Sequence, residues 1–112
     1  MNNIPSPIDP GTMQAAAARA CALLKVLANP DRLLLMCQLS QGELCVNELD
    51  ERLGIRQPTL SQQLGVLREN GLVATRRDGR SIFYSIASEE ALAVMGVLYE
   101  QFCANVKQET TC

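Results

Sequence analysis

The chain has no histidine, and this one absence removes more chemistry than any other feature of its composition. Without imidazole there is no ready base to activate a nucleophile, and no nitrogen ligand for the zinc sites that combine imidazole with carboxylate. Glycine-rich phosphate loops and paired carboxylates are missing too, so the sequence holds no catalytic constellation and predicts a protein that is neither an enzyme nor cofactor-dependent. Long apolar runs are also lacking. The stretch from Ala15 to Leu27 is interrupted by Arg19 and Lys25 with no basic region ahead of it, which argues against a membrane span or targeting signal and for a cytoplasmic protein. Aromatic residues make up only 4% of the chain, while apolar residues overall reach 47%.

What is present is concentrated between Gln57 and Leu72, in QPTLSQQLGVLRENGL. Leu60, Leu64 and Leu67 fall at i, i+4 and i+7 and form the stripe by which a helix docks on a core. Pro58, Thr59, Ser61, Gln62 and Gly65 point away from that stripe. They are short or carry neutral amides and hydroxyls, the groups that hydrogen-bond base edges and phosphates in a major groove, where an ordinary exposed helix would carry Glu and Lys. Gly65 weakens the helix by roughly 1 kcal/mol relative to Ala, so its outward position suggests that something bulky approaches there. A polar amphipathic helix without a partner is the plainer alternative.

The flanks favour the DNA reading. Upstream, CVNELDERLGI sets Val46, Leu49 and Leu53 at helical spacing, with Gly54 where a helix ends in a left-handed turn. The two segments predict a helix-turn-helix. Downstream, Leu72 to Thr75 and Ser81 to Ile86 are strand-prone and are joined by RRDGR, whose Asp78-Gly79 is a hairpin signal. A hairpin directly after a recognition helix is a wing, and Arg76, Arg77 and Arg80 crowd its tip, where cations reach a phosphate backbone or minor groove. The expected fold class is mainly α with a β-hairpin wing, a winged helix-turn-helix. Charge follows the same division. From Arg52 to Ile86 six arginines against Glu69 and Asp78 make +4, which leaves −6 for the rest of a chain whose total is −2.

At 112 residues the chain makes one domain with a modest core, and its apolar fraction exceeds what a small helical monomer readily hides. Two stripes suit a dimer seam: Met13, Ala17, Ala20, Leu24 and Leu27, and Leu92, Met95, Leu98 or Tyr99, Phe102 and Val106. Packing inside one chain is the alternative for each. A homodimer is expected, because such modules read two half-sites through two-fold symmetry. Residues 1–12, with Pro5, Pro7, Pro10 and Gly11, read as a disordered arm, residues 13–108 as the folded domain and residues 109–112 as a frayed tail.

The leading segment LKVLANPDRLLLMCQL, the GIRQPTLSQQLGVLREN helix-turn-helix, the arginine-rich wing and the long closing helix together resemble the ArsR/SmtB family of bacterial winged-helix repressors, over nearly the whole chain outside the arm. The resemblance implies a homodimer on double-stranded operator DNA that represses an operon until an inducer is sensed. Family DNA contacts carry over to Gln57, Thr59, Ser61, Gln62 and Gln63 and to the wing arginines Arg76, Arg77 and Arg80.

Absences then bear on the inducer. Relatives that hold metal through Asp, His and Glu on the closing helix need histidines this chain lacks. Relatives that bind thiophilic ions use an ELCVC segment, which here reads ELCVNEL, so Cys45 matches the first thiolate while Asn47 replaces the second. Five cysteines remain, which in a cytosolic protein points to thiol chemistry or metal before a disulfide framework. Cys37 in LLLMC and Cys103 in LYEQFC resemble the cysteine pair of the BigR, SqrR and HlyU-like branch, whose members respond to reactive sulfur species. That resemblance implies that persulfide closes Cys37 and Cys103 into a disulfide or polysulfide bridge, releasing DNA that controls sulfide detoxification genes. Two alternatives stay open: a thiophilic metal or metalloid sensor drawing on Cys45, Cys37, Cys103 and Cys112, and a general oxidant-responsive regulator. Cys21, Cys45 and Cys112 read more simply as small apolar or terminal residues.

Overall fold

A computed structural model describes residues 9–104. Five α-helices run α1 (Pro10–Leu27), α2 (Pro30–Leu39), α3 (Val46–Leu53), α4 (Thr59–Glu69) and α5 (Glu89–Leu98), the last continuing into a π-helical turn, Tyr99–Cys103. Strand β1 (Leu44–Cys45) precedes α3, and β2 (Val73–Asp78) and β3 (Ser81–Ile86) follow α4. The three strands form one antiparallel sheet in the order β1-β3-β2. The expected winged helix-turn-helix is the fold observed, with α3 and α4 as its two helices and β2–β3 as its wing.

Local chemistry explains each boundary. Asp9 accepts a hydrogen bond from the Thr12 N–H at 3.1 Å and Pro10 occupies the first turn, where its missing N–H costs nothing, so α1 starts at Pro10. Residues 10–12, expected in the arm, are helical; residues 1–8 of the expected arm, the end of the expected domain from residue 105 with Val106, and the expected tail at 109–112 lie outside the described residues. Asn29 caps α2 in the same way, accepting from the Arg32 N–H at 3.0 Å. Gly54 ends α3 with φ of +70°, the left-handed turn its position predicts.

The wing differs from expectation at its tip. Arg76, Arg77 and Asp78 belong to β2, not to the loop, and Asp78 pairs with Ser81, leaving only Gly79 and Arg80 as the turn. Gly79 adopts φ of +65° at the first central position, which a two-residue hairpin loop demands and which a side chain disfavours. The long loop read from RRDGR becomes a tight one, and Arg76 moves down the strand to face Phe83.

One core holds these elements together. Leu35 and Met36 of α2, Leu49 of α3, Leu60, Leu64 and Leu67 of α4 and Met95 of α5 are completely enclosed, joined by Leu27, Leu39, Leu44, Ile55, Leu72, Val73 and Ala91. Each large side chain removed from water contributes roughly 1.5–3 kcal/mol, and together they fix α4 across the face of α2. The dimer-type stripes behave differently. Of the α1 stripe only Leu27 enters this core, and Leu24 is 54% exposed; of the α5 stripe Met95 is buried, while Phe102 is 68% exposed and Leu92 and Tyr99 are open. Among the described residues nothing covers these faces. Among the described residues no helix is long and apolar enough to cross a membrane.

Candidate nucleic-acid interface and dithiol

The outward face of α4 follows from its buried one. With Leu60, Leu64 and Leu67 enclosed, the 3.6-residue repeat turns Ser61 and Gln62 to solvent, with Gln57 and Pro58 exposed at the entry and Thr59 half-buried beside them. The Gln57 side-chain oxygen accepts from the Ser61 N–H at 3.1 Å, so it closes one of the open donors of the first turn. Gly65 lies on this side as well. A Cβ placed there would meet nothing within 4 Å, so packing within the chain does not require glycine at this point.

Gln63 stands apart from Gln57, Thr59, Ser61 and Gln62, the other residues of this segment expected to meet DNA. It is half-buried, and its side-chain oxygen accepts from Arg32 Nη1 at 2.9 Å. Arg32 also donates through Nε to the Val26 carbonyl at 2.7 Å. Neither Arg32 nor Arg56 stood among the expected site residues. Arg56, its side chain 82% exposed, lies between α3 and α4 with Asp50 at 3.7 Å, on the approach to the recognition helix.

The wing separates its three arginines. Arg77 and Arg80 are exposed at the end of the hairpin. Arg76 is held by Glu43: its Nε and Nη2 donate to the two carboxylate oxygens at 2.9 and 2.8 Å, and its guanidinium lies 4.7 Å from the centre of the Phe83 ring. Such a bidentate pair fixes both partners in orientation as well as position. The Arg76 guanidinium draws the Glu43 carboxyl below the usual carboxylate range. Glu43 leads directly into β1, so the clamp ties the root of the wing to the start of the helix-turn-helix.

Cys45 has a structural task in the same corner. As N-cap of α3 its sulfur accepts from the Glu48 N–H, while its own N–H donates to Glu48 Oε1 at 2.9 Å, a reciprocal capping box. That hydrogen bond holds the Glu48 carboxyl below its ordinary range. Among the described residues no three His, Cys, Asp or Glu side chains gather in a group that could hold a metal ion.

Cys37 and Cys103 are carried by different elements of the fold. Cys37 lies on α2, half-buried against the core, and Cys103 ends the π-helical turn after α5, exposed. Both thiols are free. Burial pushes the Cys37 thiol upward first, and the neighbouring Cys103 sulfur pushes it further. Cys37 thus feels Cys103, although the two are far apart in sequence. The π-helical turn is a rare geometry that recurs at functional sites, and here it delivers Cys103.

Comparison with known proteins gives a consistent set of likenesses. The model of the arsR family of bacterial regulatory proteins matches residues 29–75. A biofilm growth-associated repressor of Agrobacterium fabrum is 51% identical over 104 residues, which covers 93% of this chain and 86% of the relative. The transcriptional activator HlyU of Vibrio cholerae is 40% identical over 98 residues, covering 88% and 91%. The crystal structure of the transcriptional repressor BigR from Xylella fastidiosa superposes with a TM-score of 0.79 at 47% identity, covering 87% of this chain and 99% of that one.

Proposed function

The chain belongs to the arsR family of bacterial regulatory proteins, and from that premise we propose that it is a cytoplasmic, homodimeric repressor whose operator grip is released by reactive sulfur species acting on Cys37 and Cys103. DNA recognition is assigned to Gln57, Thr59, Ser61 and Gln62 on α4 and to Arg77 and Arg80 on the wing, with Arg56 added at the entry. The exposed faces of α1 and α5 support the dimer. Likeness to repressors over nearly the whole chain supports repression.

The feature that supports the sensing reading is the pair of free thiols, Cys37 half-buried on α2 and Cys103 exposed at the end of the π-helical turn, with Cys103 adding to the upward push that burial exerts on Cys37. It also suggests an order of events. Burial keeps the Cys37 thiol protonated and partly covered while Cys103 is exposed, so Cys103 reacts first. Its thiolate takes the outer sulfur of a low-molecular-weight persulfide, releasing the parent thiolate and leaving a Cys103 persulfide. The Cys37 thiolate then displaces hydrosulfide to close a disulfide. If a second persulfide first lengthens the chain at Cys103, the same closure leaves a trisulfide and releases hydrosulfide. A plain disulfide needs Cα atoms within about 7 Å, and each inserted sulfur relaxes that limit. Joining α2 to the end of α5 changes the seam on which two recognition helices are spaced, and about 1.4 kcal/mol of coupling weakens operator binding tenfold.

Peptide mass spectrometry tests this. Reduced protein is exposed anaerobically to glutathione persulfide, with oxidised glutathione and hydrogen peroxide in parallel. A Cys37–Cys103 peptide pair joined by a disulfide or by a bridge with added sulfur, formed in the persulfide sample and accompanied by loss of operator binding, is the expected result. Free thiols after persulfide treatment would refute it, and equal closure by peroxide would make the protein a general oxidant switch.

A further inference from the structure

We infer that Arg32 and Gln63 form a strut that sets the pose of the recognition helix, so that Gln63 selects the operator as a positioning residue and not as a base contact. The inference deepens the operator-binding half of the proposed function and is independent of the dithiol.

The strut begins with a proline. In an α-helix the Val26 carbonyl would accept from the N–H four residues on, but that residue is Pro30, which has none. The last turn of α1 is thus left with an open acceptor beside the first turn of α2. Arg32 fills it with Nε at 2.7 Å. The Arg32 backbone is fixed at the same time, because its N–H donates to the Asn29 cap at 3.0 Å, and the Asn29 N–H donates to the Leu27 carbonyl at 2.8 Å. A guanidinium is a rigid planar fork, so anchoring one nitrogen fixes the direction of the others. The free edge points across to α4, where Nη1 meets the Gln63 oxygen at 2.9 Å.

Apolar packing alone cannot give α4 a unique pose. Leu60, Leu64 and Leu67 set how deep the helix sits, but hydrophobic burial has no direction, and a helix can roll or slide a little about its buried stripe. A charge-assisted hydrogen bond midway along the helix resists both movements. Ser61 and Gln62, two and one residues away on the open side, move with any roll of Gln63. Their reach into a groove is therefore referenced to the end of α1, the helix that carries one of the uncovered apolar faces. LANPDR on one side and SQQL on the other become two halves of one device.

The test uses a duplex selected by the wild-type protein from a random library, a scrambled duplex of equal composition, and the single-base-pair variants of the selected duplex. Gln63→Leu removes the acceptor, Arg32→Met removes the donor, and Gln63→Glu keeps an acceptor in the same place. Gln63→Leu and Arg32→Met are each expected to lower the selected-to-scrambled affinity ratio by about tenfold, equivalent to about 1.4 kcal/mol. The double variant should lose no more than either single, Gln63→Glu should retain the ratio, and the lost discrimination should spread over the whole half-site. A base contact would instead relax one base pair alone. That pattern, additive losses in the double variant, or a Gln63→Leu protein that still discriminates would overturn the strut. A wild-type protein that selects no duplex would remove the operator reading itself, an outcome distinct from failure of the strut.

Discussion

Gly65 gives the sharpest residue-scale prediction, because stability and binding should move in opposite directions. Nothing lies within 4 Å of a Cβ at that position, so Gly65→Ala gains helix propensity of roughly 1 kcal/mol and raises the thermal midpoint by about 4–8 °C. If DNA backbone packs on that face, the same methyl lowers operator affinity. Melting curves and operator titrations of one variant decide the matter, and unchanged affinity would mean that nothing approaches there. Cys37 gives a second prediction, in pH. Its raised pKa keeps it protonated at pH values where an ordinary thiol has begun to ionise, so its alkylation profile should lie on the alkaline side of a free cysteine. Cys103→Ser removes the smaller of the two causes and should move the profile part of the way back, with burial retaining the rest. Alkylation rates followed by mass spectrometry from neutral to strongly alkaline pH read both effects.

Several of these residues were legible in the sequence and others were not. The outward Ser61, Gln62 and Gly65 follow from the positions of Leu60, Leu64 and Leu67, since a 3.6-residue repeat leaves them no other side. The inward lean of Gln63 was legible too, for it lies three residues after Leu60 and four before Leu67, on the edge of the buried stripe. Resemblance to a family of DNA readers outweighed that signal. The Glu43 partner of Arg76 had no local signal at all. The pair is long-range, and neither periodicity nor propensity brings opposite charges together across a sheet.

Among elements, the wing carries a prediction of its own. Arg77 and Arg80 are exposed at its end, whereas Arg76 is committed to Glu43. Arg77→Ala or Arg80→Ala should flatten the salt dependence of operator binding by about one unit of log–log slope for each phosphate no longer neutralised. Arg76→Ala should leave that slope unchanged while weakening binding through a loosened wing. Glu43→Gln releases the guanidinium, and the slope should steepen by about 0.9 if Arg76 then finds a phosphate. Titrations at several salt concentrations separate the three cases, and a slope that falls equally for all three arginines would show that Arg76 meets DNA in spite of its clamp. The wing's existence was legible in Asp78-Gly79 and the strand-prone flanks, but its length was not. A two-residue loop draws Arg76, Arg77 and Asp78 into the ladder, and loop length is set by pairing register, which the dipeptide alone does not specify.

On the scale of the whole molecule, the open apolar faces are the main feature. Leu24 on α1 and Leu92, Tyr99 and Phe102 beyond the core should be covered by a second copy of the chain. Phe102→Glu is expected to give a folded monomer that binds operator far more weakly than the parent. Sedimentation velocity, with circular dichroism as the check on folding, reads the outcome, and a Phe102→Glu protein that still sediments as a dimer would move the seam elsewhere. The stripes themselves were legible as heptad-like spacing, while their division between interior and surface was not, because Leu27 and Met95 are buried within the chain whereas Met13, Leu24, Leu92, Tyr99 and Phe102 are exposed.

Cys37 and Cys103 belong to one polypeptide, and this governs the kinetics of any bridge between them. Closure inside a chain is first order, so its rate does not depend on how many copies a cell contains; a scarce regulator responds as promptly as an abundant one, with supply of the attacking sulfur as the clock. On the proposed mechanism each subunit would close on its own account, and a dimer would pass through a half-closed state before both grips were released. On the same mechanism, reopening consumes reducing equivalents. Such a bridge would act as a memory, erased at a pace set by the reducing capacity of its surroundings.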